Sequence, residues 1–317
     1  MKIYSQSPLR ISLYGGGTDL MPFSDDFGGV CINMAINLYQ KLTLYTGDDL
    51  YGRETKLAQN SDPSLCYEIL KAFGLGSMHH AVVESECDGL IKAGLGSSAS
   101  FAVALIAALR KNKNVDFIPA NIAEEAWRAE VNGLGWYGGK QDQIVAAHGG
   151  LNFIEIGPGQ AIDIMQYDKE LAFELLPYLH LYYIGGQRSS HLIQNGFKSL
   201  SDEQEDVLKE IKRIAELAGK ALAKGQLEKL AELLDMSWRL KKRSNIGVTN
   251  EKIDGIYKYA TSNGASSGKL CGAGGGGHML FFAPILKSEQ LDLAMSKKGY
   301  EKIDFMPDFT GVTTRIL

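Results

Sequence analysis

The chain has 317 residues, and its 33 lysines and arginines against 37 aspartates and glutamates give a formal charge of −4, with no basic excess to serve a dedicated nucleic-acid surface. With 45% apolar and 22% charged residues it has ordinary globular usage, and at this length it buries roughly 75% of its unfolded surface without disulfide or metal support. At about 150 residues per domain, two domains or one large one are expected.

The opening MKIYSQSPLR contains no apolar core of a signal peptide. The longest wholly aliphatic stretch, 101–109, is about half a membrane span. Cys31, Cys66, Cys87 and Cys271 are widely spaced and form no CxxC, the pattern of reduced thiols. A soluble, cytoplasmic protein is expected. The one unusual count is 36 glycines, about 11% against a typical ~7%, and the excess is concentrated in local clusters.

In chain order, 2–14 and 30–46 read as strands rich in Ile, Leu, Val, Tyr and Thr, with a glycine-rich turn between them. A helix is predicted over 62–73 and a short strand over 81–87. The Gly/Ser loop at 94–100 runs into FAVALIAALRK, apolar nearly all round and therefore a buried helix. Residues 118–132 form another helix, with Pro119 tolerated in its first turn. A short helix near 139–148 precedes the strand LNFIEI. After about residue 170, Val207, Ile211, Ile214, Ala218 and Ala221 mark an amphipathic helix, and Leu227, Leu230, Leu234 and Trp238 a second. Ile253, Ile256 and Tyr257 begin a third. Strands are predicted at 179–184, 278–283 and 311–316. The change of character divides the chain into 1–170 and 171–317.

Three glycine clusters carry the functional signal. In the middle one, Gly94-Leu95-Gly96-Ser97-Ser98-Ala99-Ser100 opens the buried helix. A helix N-terminus has unpaired N–H groups and about half a positive charge, and small residues before it let a phosphate come close. Ser97 and Ser98 could cap the helix, and one hydroxyl could ligate Mg²⁺. An ordinary glycine turn with a serine cap has the same composition. The C-terminal cluster, Gly272-Ala273-Gly274-Gly275-Gly276-Gly277, satisfies GxGxxG, but a strand follows it and a helical stretch is expected upstream, the reverse of a dinucleotide site. The nearby Gly264–Leu270 run lacks both the spacing and the hydroxyl of a P-loop. What remains is backbone suited to close approach by a ligand or another segment. In the N-terminal cluster a strand delivers Arg10 and a glycine turn delivers Asp19; a surface hairpin with an Asx-type turn is the plain alternative.

Together SPLRISLYGGGTDL, AGLGSSAS and KLCGAGGGGHMLFF stand in the order and at about the spacing of the three signature motifs of the GHMP kinases, which the chain resembles over roughly 2–285. The GGGTDL form, GKQDQ at 139–143 and the GAGGGG form are most similar to the sugar-1-kinases of that family. The resemblance implies an α+β, two-domain fold: a mixed α/β N-terminal ATP-binding domain, a ferredoxin-like C-terminal domain and an active site in the cleft between them. It implies ATP and Mg²⁺ as cofactors, with Gly94, Leu95, Gly96, Ser97, Ser98, Ala99 and Ser100 around the phosphates and Ser98 with Glu130 on the metal. It implies Asp142 as catalytic base beside Arg10, and Gly16, Gly17, Thr18 and Asp19 on the sugar. Gly272, Gly274, Gly275 and Gly276 would form an active-site loop. A sugar phosphate needs a cationic partner, for which Arg188 in GGQRSSH is the candidate. The basic run Lys241, Lys242 and Arg243 after Trp238 offers further cations, with a solvated helix end as the plain alternative. His278 departs from many sugar-1-kinases and reads as structural, and His79-His80 have no metal-site spacing. The reaction implied is phosphorylation of the anomeric hydroxyl of a heptose already phosphorylated at its far end, on a route to surface polysaccharide. A fucokinase-like free-sugar kinase comes next, then a non-catalytic sugar sensor. A serine hydrolase using Ser98 lacks GxSxG. The partners implied are small molecules, with neither nucleic acid nor membrane and with a homodimer as the assembly allowed.

Overall fold

The computed structural model describes residues 1–50, 52–59, 61–75, 80–89, 93–157, 159, 161–186, 197–244 and 247–317. Strands β1 (Lys2–Tyr14) and β2 (Gly29–Thr46) form a long antiparallel pair. β2 serves two further partners along its length: 40–46 pair with β3 (Ala81–Cys87) and 29–34 with β4 (Leu151–Ile156). β5 (Ile162–Gln166) extends the sheet beyond β4. The second sheet is antiparallel, with β6 (Leu179–Gly185), β7 (Ser267–Leu270), β8 (Gly277–Phe282) and β9 (Glu301–Ile303) in the order β7-β8-β6-β9. That order, with helices between β6 and β7 and between β8 and β9, is the ferredoxin-like arrangement. β10 (Thr313–Ile316) returns to the first sheet and pairs with β1, so 313–316 pack with the N-terminal half and not with the rest of 171–317.

Helices α1 (Phe23–Phe27), α2 (Pro63–Ala72), α3 (Ser97–Asn112), α4 (Pro119–Arg128) and α5 (Gln141–His148) accompany the first sheet. α6 (Lys169–Leu175), α7 (Asp202–Ala223), α8 (Leu227–Ser244), α9 (Glu251–Thr261) and α10 (Ile285–Lys297) follow. Their starts carry the usual signals. Asp62 caps α2 with Pro63 behind it, Ser201 and Gln204 make a capping box on α7, and Asn250 caps α9. The residues that compose α3 from Ala99 to Arg110 are all buried, as an all-round apolar helix requires. No helix among the described residues is long and apolar enough to cross a membrane.

The helical stretch expected upstream of the C-terminal glycines is α9, and strand β7, which the hydrophobic pattern did not announce, stands between it and the cluster. Gly268 breaks helical propensity, and it lies flat under Phe281, whose Cδ1 would be 2.4 Å from any Cβ there. The predicted helix over 118–132 ends at Arg128 and continues as one π-type turn, Ala129–Gly133. β5, α1, α6, α10 and β9 are additions that the hydrophobic pattern did not announce.

A register shift between Pro8 and Leu9 decides which side chains of β1 face the chemistry. Before it, Ile3 packs with α3 in the first core, and Ser7 bonds Ala146 of α5. After it, Leu9, Ile11 and Leu13 join a second core with α7 and α8. The same reversal occurs in β2, where Cys31 and Ala35, then Leu42 and Leu44, share the first core. A side-chain period of two makes such a shift exchange the faces. Arg10 and Ser12 are thereby turned toward α5.

The middle and C-terminal glycine clusters touch backbone to backbone. A Cβ on Gly272, whose φ is +74°, would stand 2.6 Å from the Cα of Gly94. Gly272→Ala therefore combines a left-handed conformation, about 1–2 kcal/mol, with overpacking of about 1–3 kcal/mol. We expect it to lower the urea midpoint by the equivalent of roughly 2–5 kcal/mol, the two added. An unchanged midpoint would show that the two loops have room to separate.

Candidate active site

Most of the residues singled out in the three glycine clusters line one cleft, which encloses about 1510 Å³ measured out to open solvent. β1 supplies Arg10 and Ser12, the following turn supplies Gly16, Gly17 and Asp19, and the start of α3 supplies Gly94, Gly96, Ser97, Ser98 and Ala99. Glu130 and Asp142 reach it from the π turn and from α5.

Arg10 is the hub. Its Nε and Nη2 grip Asp142 Oδ1 and Oδ2 at 2.7 and 2.5 Å, and its Nη1 donates to the Gly94 carbonyl at 2.7 Å. Its backbone N–H donates to Leu95 O at 3.0 Å. Burial acts to depress the guanidinium pKa, but the Asp142 carboxylate outweighs it and the net shift is upward. The fork-to-fork pair fixes the orientation of Asp142.

Gly96, at φ +75°, takes the N-cap position of α3, so neither Ser97 nor Ser98 caps the helix as the sequence allowed. No side chain caps the first-turn N–H groups, the arrangement that favours an anion. Ser98 instead donates to Glu130 Oε1 at 2.6 Å, and Gln143 Nε2 donates to Oε2. Glu130 is buried, and desolvation first, with the nearby Asp142 charge in support, lifts its carboxyl to about 7 against the hydrogen bond from Ser98. No cluster of three or more metal-binding side chains occurs among the described residues. A hydroxyl and one buried carboxylate fit Mg²⁺, which takes one or two carboxylates and completes its shell with phosphates and water.

Asp19 is buried and accepts from Gly17 N at 3.2 Å and Gln141 Nε2 at 2.9 Å. Burial, then the Asp142 charge, raises its pKa. Only glycine fits at 139, where a Cβ would lie 1.9 Å from Asp19 Oδ2. Ser12 Oγ donates to Gln141 Oε1 at 3.2 Å, so Gln141 links the strand to the acid.

Other singled-out residues stand behind the cleft. Thr18 is fully buried, its hydroxyl spent on Gly15 O and Val30 O inside the turn. The Leu95 side chain is in the second core, and Ser100 Oγ donates to Pro8 O at 2.7 Å. Gly274 packs on Val248 and Gly276 on the 185–186 turn. Gly275 N donates to Val248 O at 3.0 Å. Of the C-terminal cluster only Gly272 and Ala273 line the cleft. His278 is buried with Nδ1 2.8 Å from Ala93 O, a structural placement. Arg188 and His79 lie outside the described residues.

Sequence reading missed Gln141 and did not tell Lys241 apart from its two neighbours. The basic run at the end of α8 is not one solvated face. Lys242 pairs with Asp254 at 3.0 Å and Arg243 with Glu203 at 3.5 Å, but Lys241 lines the cleft and donates to Gly272 O at 2.7 Å. The signal was present: Lys241 follows Trp238 by three positions and Leu234 by seven, on the buried face of the helix.

The GHMP kinases N terminal domain model matches residues 64–150, and the GHMP kinases C terminal model matches 218–300. D-glycero-alpha-D-manno-heptose 7-phosphate kinase of Campylobacter jejuni is 32% identical over 323 residues, covering 94% of both chains. The bifunctional fucokinase/GDP-fucose pyrophosphorylase of Arabidopsis thaliana is 29% identical over 315 residues, 87% of this chain and 29% of that protein. A solved D-glycero-D-manno-heptose 1-phosphate kinase from Bacteroides thetaiotaomicron superposes with a TM-score of 0.80, at 24% identity over 99% of both chains.

The raised Glu130 carboxyl has a consequence for stability. Between its ordinary pKa of 4.5 and about 7 the folded state holds a proton that the unfolded state has released. This contribution is therefore lost as pH rises through that window. Glu130→Gln removes it, and Gln143 can turn its unpartnered Oε1 toward the new amide. In chelator-treated, metal-free protein, the variant is expected to melt above the wild type at pH 8 and level with it near pH 4.5. A pH-independent difference would contradict the desolvated carboxylate.

Proposed function

The chain belongs to the GHMP kinase family, and on that premise we propose that it transfers the terminal phosphoryl group of ATP, with Mg²⁺, to the anomeric hydroxyl of D-glycero-D-manno-heptose 7-phosphate. The observation that carries the kinase chemistry is the Arg10–Asp142 fork, set beside an uncapped helix N-terminus in the same cleft. The similarity to the Campylobacter jejuni enzyme along 94% of the chain supports the heptose acceptor.

Asp142 takes the proton of the attacking hydroxyl as the phosphoryl group arrives. Arg10 orients that carboxylate and places positive charge where charge develops on the transferring group. Gly94–Ser100 hold the phosphates through the N–H groups at the start of α3. Ser98 and Glu130 would hold the Mg²⁺, which neutralises phosphate charge when bound. Asp19, steadied by Gln141, accepts from sugar hydroxyls. Leu65, Phe101, Val131 and Trp136 supply apolar lining of the cleft that suits a nucleoside.

Asp142→Asn is expected to lower kcat by about 10²–10⁴-fold with ADP affinity retained, measured by coupled ADP release and calorimetry. A variant that keeps a third of the wild-type rate would remove Asp142 as base. Ser98→Ala and Glu130→Gln should each raise the Mg²⁺ concentration needed for half-maximal rate; identical titration curves would take both off the metal. The acceptor is tested by ADP release over phosphorylated and free heptoses, mannose, fucose and galactose. Turnover of the heptose 7-phosphate well above all others is the expected result, and a preference for free fucose would replace it with the fucokinase-like reading.

A further inference from the structure

The cleft is lined by four carboxylates, Asp19, Asp62, Glu130 and Asp142, and among the described residues by two cations, Arg10 and Lys241. A nucleoside triphosphate brings further negative charge into that space. Arg10 answers part of it, because three of its five N–H donors are committed to Asp142 and Gly94 and two remain. Lys241 has three donors, of which Gly272 O takes one. Its position is informative: Gly272 lies against Gly94 at the head of the phosphate loop, and Lys241 Nζ comes within 3.7 Å of the Cβ position of Gly16 in the turn after β1. The ammonium therefore stands at the seam between the loop expected to hold phosphates and the turn expected to hold the acceptor.

We propose that Lys241 is a catalytic residue of the kinase reaction: its ammonium binds the terminal phosphoryl group of ATP and stays on it through transfer. This rests on the kinase reading above and is independent of which sugar is the acceptor. In the transfer, the acceptor oxygen forms its bond to the terminal phosphorus as the bond from that phosphorus to the β-phosphate oxygen breaks. The hydroxyl proton passes to Asp142, ADP leaves with the electron pair, and Lys241 keeps its own proton throughout. Arg10 and Lys241 then contact the moving group from β1 and from α8, so both halves of the molecule are needed on it.

Two features support the assignment. Lys241, half-buried, sits near two buried cations, Arg10 and Lys269. Lys269 is consumed structurally, donating to Ser12 O at 2.7 Å and Leu13 O at 3.2 Å. Burial first, and then the repulsion from Arg10, lowers the pKa of Lys241, and an arriving phosphoryl dianion offsets both effects. A lysine placed only to brace Gly272 gains nothing from so crowded a cationic site, since any neutral donor would serve.

The test uses Lys241→Met and Lys241→Gln, the second keeping a neutral donor for the Gly272 carbonyl. Calorimetry without any sugar compares Mg²⁺-ADP with Mg²⁺-AMP-PNP, an analogue that keeps the terminal phosphoryl group. A charge-assisted contact corresponds to about 10–150-fold. Both variants should reduce the preference for AMP-PNP over ADP by roughly that factor, with ADP affinity within about threefold of wild type. A wild-type preference retained in Lys241→Gln overturns the proposal, whatever the acceptor proves to be. In turnover, kcat should fall by a similar factor on every acceptor the wild type accepts, free or phosphorylated, with acceptor KM nearly unchanged. A loss confined to the KM of phosphorylated acceptors would instead place Lys241 on the acceptor's own phosphate and equally overturn it.

Discussion

The Arg10–Asp142 ion pair is the interaction on which the rest of the site depends. One guanidinium joins three segments far apart in the chain: the first strand, the loop before α3 through Gly94, and the start of α5. A charged pair with Arg10 this deeply buried stands only when both partners are present, because either alone leaves an uncompensated charge in low dielectric. The pair thus sets geometry and electrostatics together. It holds the carboxylate facing the cleft and keeps the phosphate loop against the sheet.

Arg10 reaches that position through an irregularity. Regular alternation from Ile3 along β1 would put position 10 with the second core. The shift at Pro8–Leu9 exchanges the faces in both central strands and brings Arg10 and Ser12 toward α5. Local disturbance of a ladder beside a reactive site is a recurring device for re-aiming side chains. The π turn that carries Glu130 at the end of α4 does the same for a helix.

Glycine performs two jobs here. At Gly139 it makes room for a buried carboxylate, and at Gly94 and Gly272 it lets two loops from different halves of the molecule meet at the backbone. Lys269 then crosses the same boundary to donate to the Ser12 carbonyl, while Lys241 donates to Gly272 within the C-terminal half and stands beside Gly16 of the N-terminal turn. The cleft is in this way a shared construction, and its charge is a small cationic cluster set against four carboxylates, a balance that an incoming Mg²⁺ and triphosphate complete.

Read alone, the sequence determined the three glycine clusters, their order, the buried helix after the second and the long strands on either side of the first. Those features are local: they follow from chain period, turn chemistry and the small size of glycine. Arg10, Asp19 and Ser98 were legible because each stands inside such a motif, whereas Glu130 and Asp142 were singled out only through the resemblance to the family. Tertiary structure alone decided what each side chain is spent on. Thr18 and Ser100 look like ligands in the sequence, but their hydroxyls satisfy buried carbonyls; Gly274, Gly275 and Gly276 brace a neighbouring loop. Lys241 was not told apart within its basic run, since composition does not say which of three consecutive cations faces inward. The face exchange in β1 was equally out of reach, because it arises from how β1 and β2 align with each other, and no periodicity within one strand records the register of its partner.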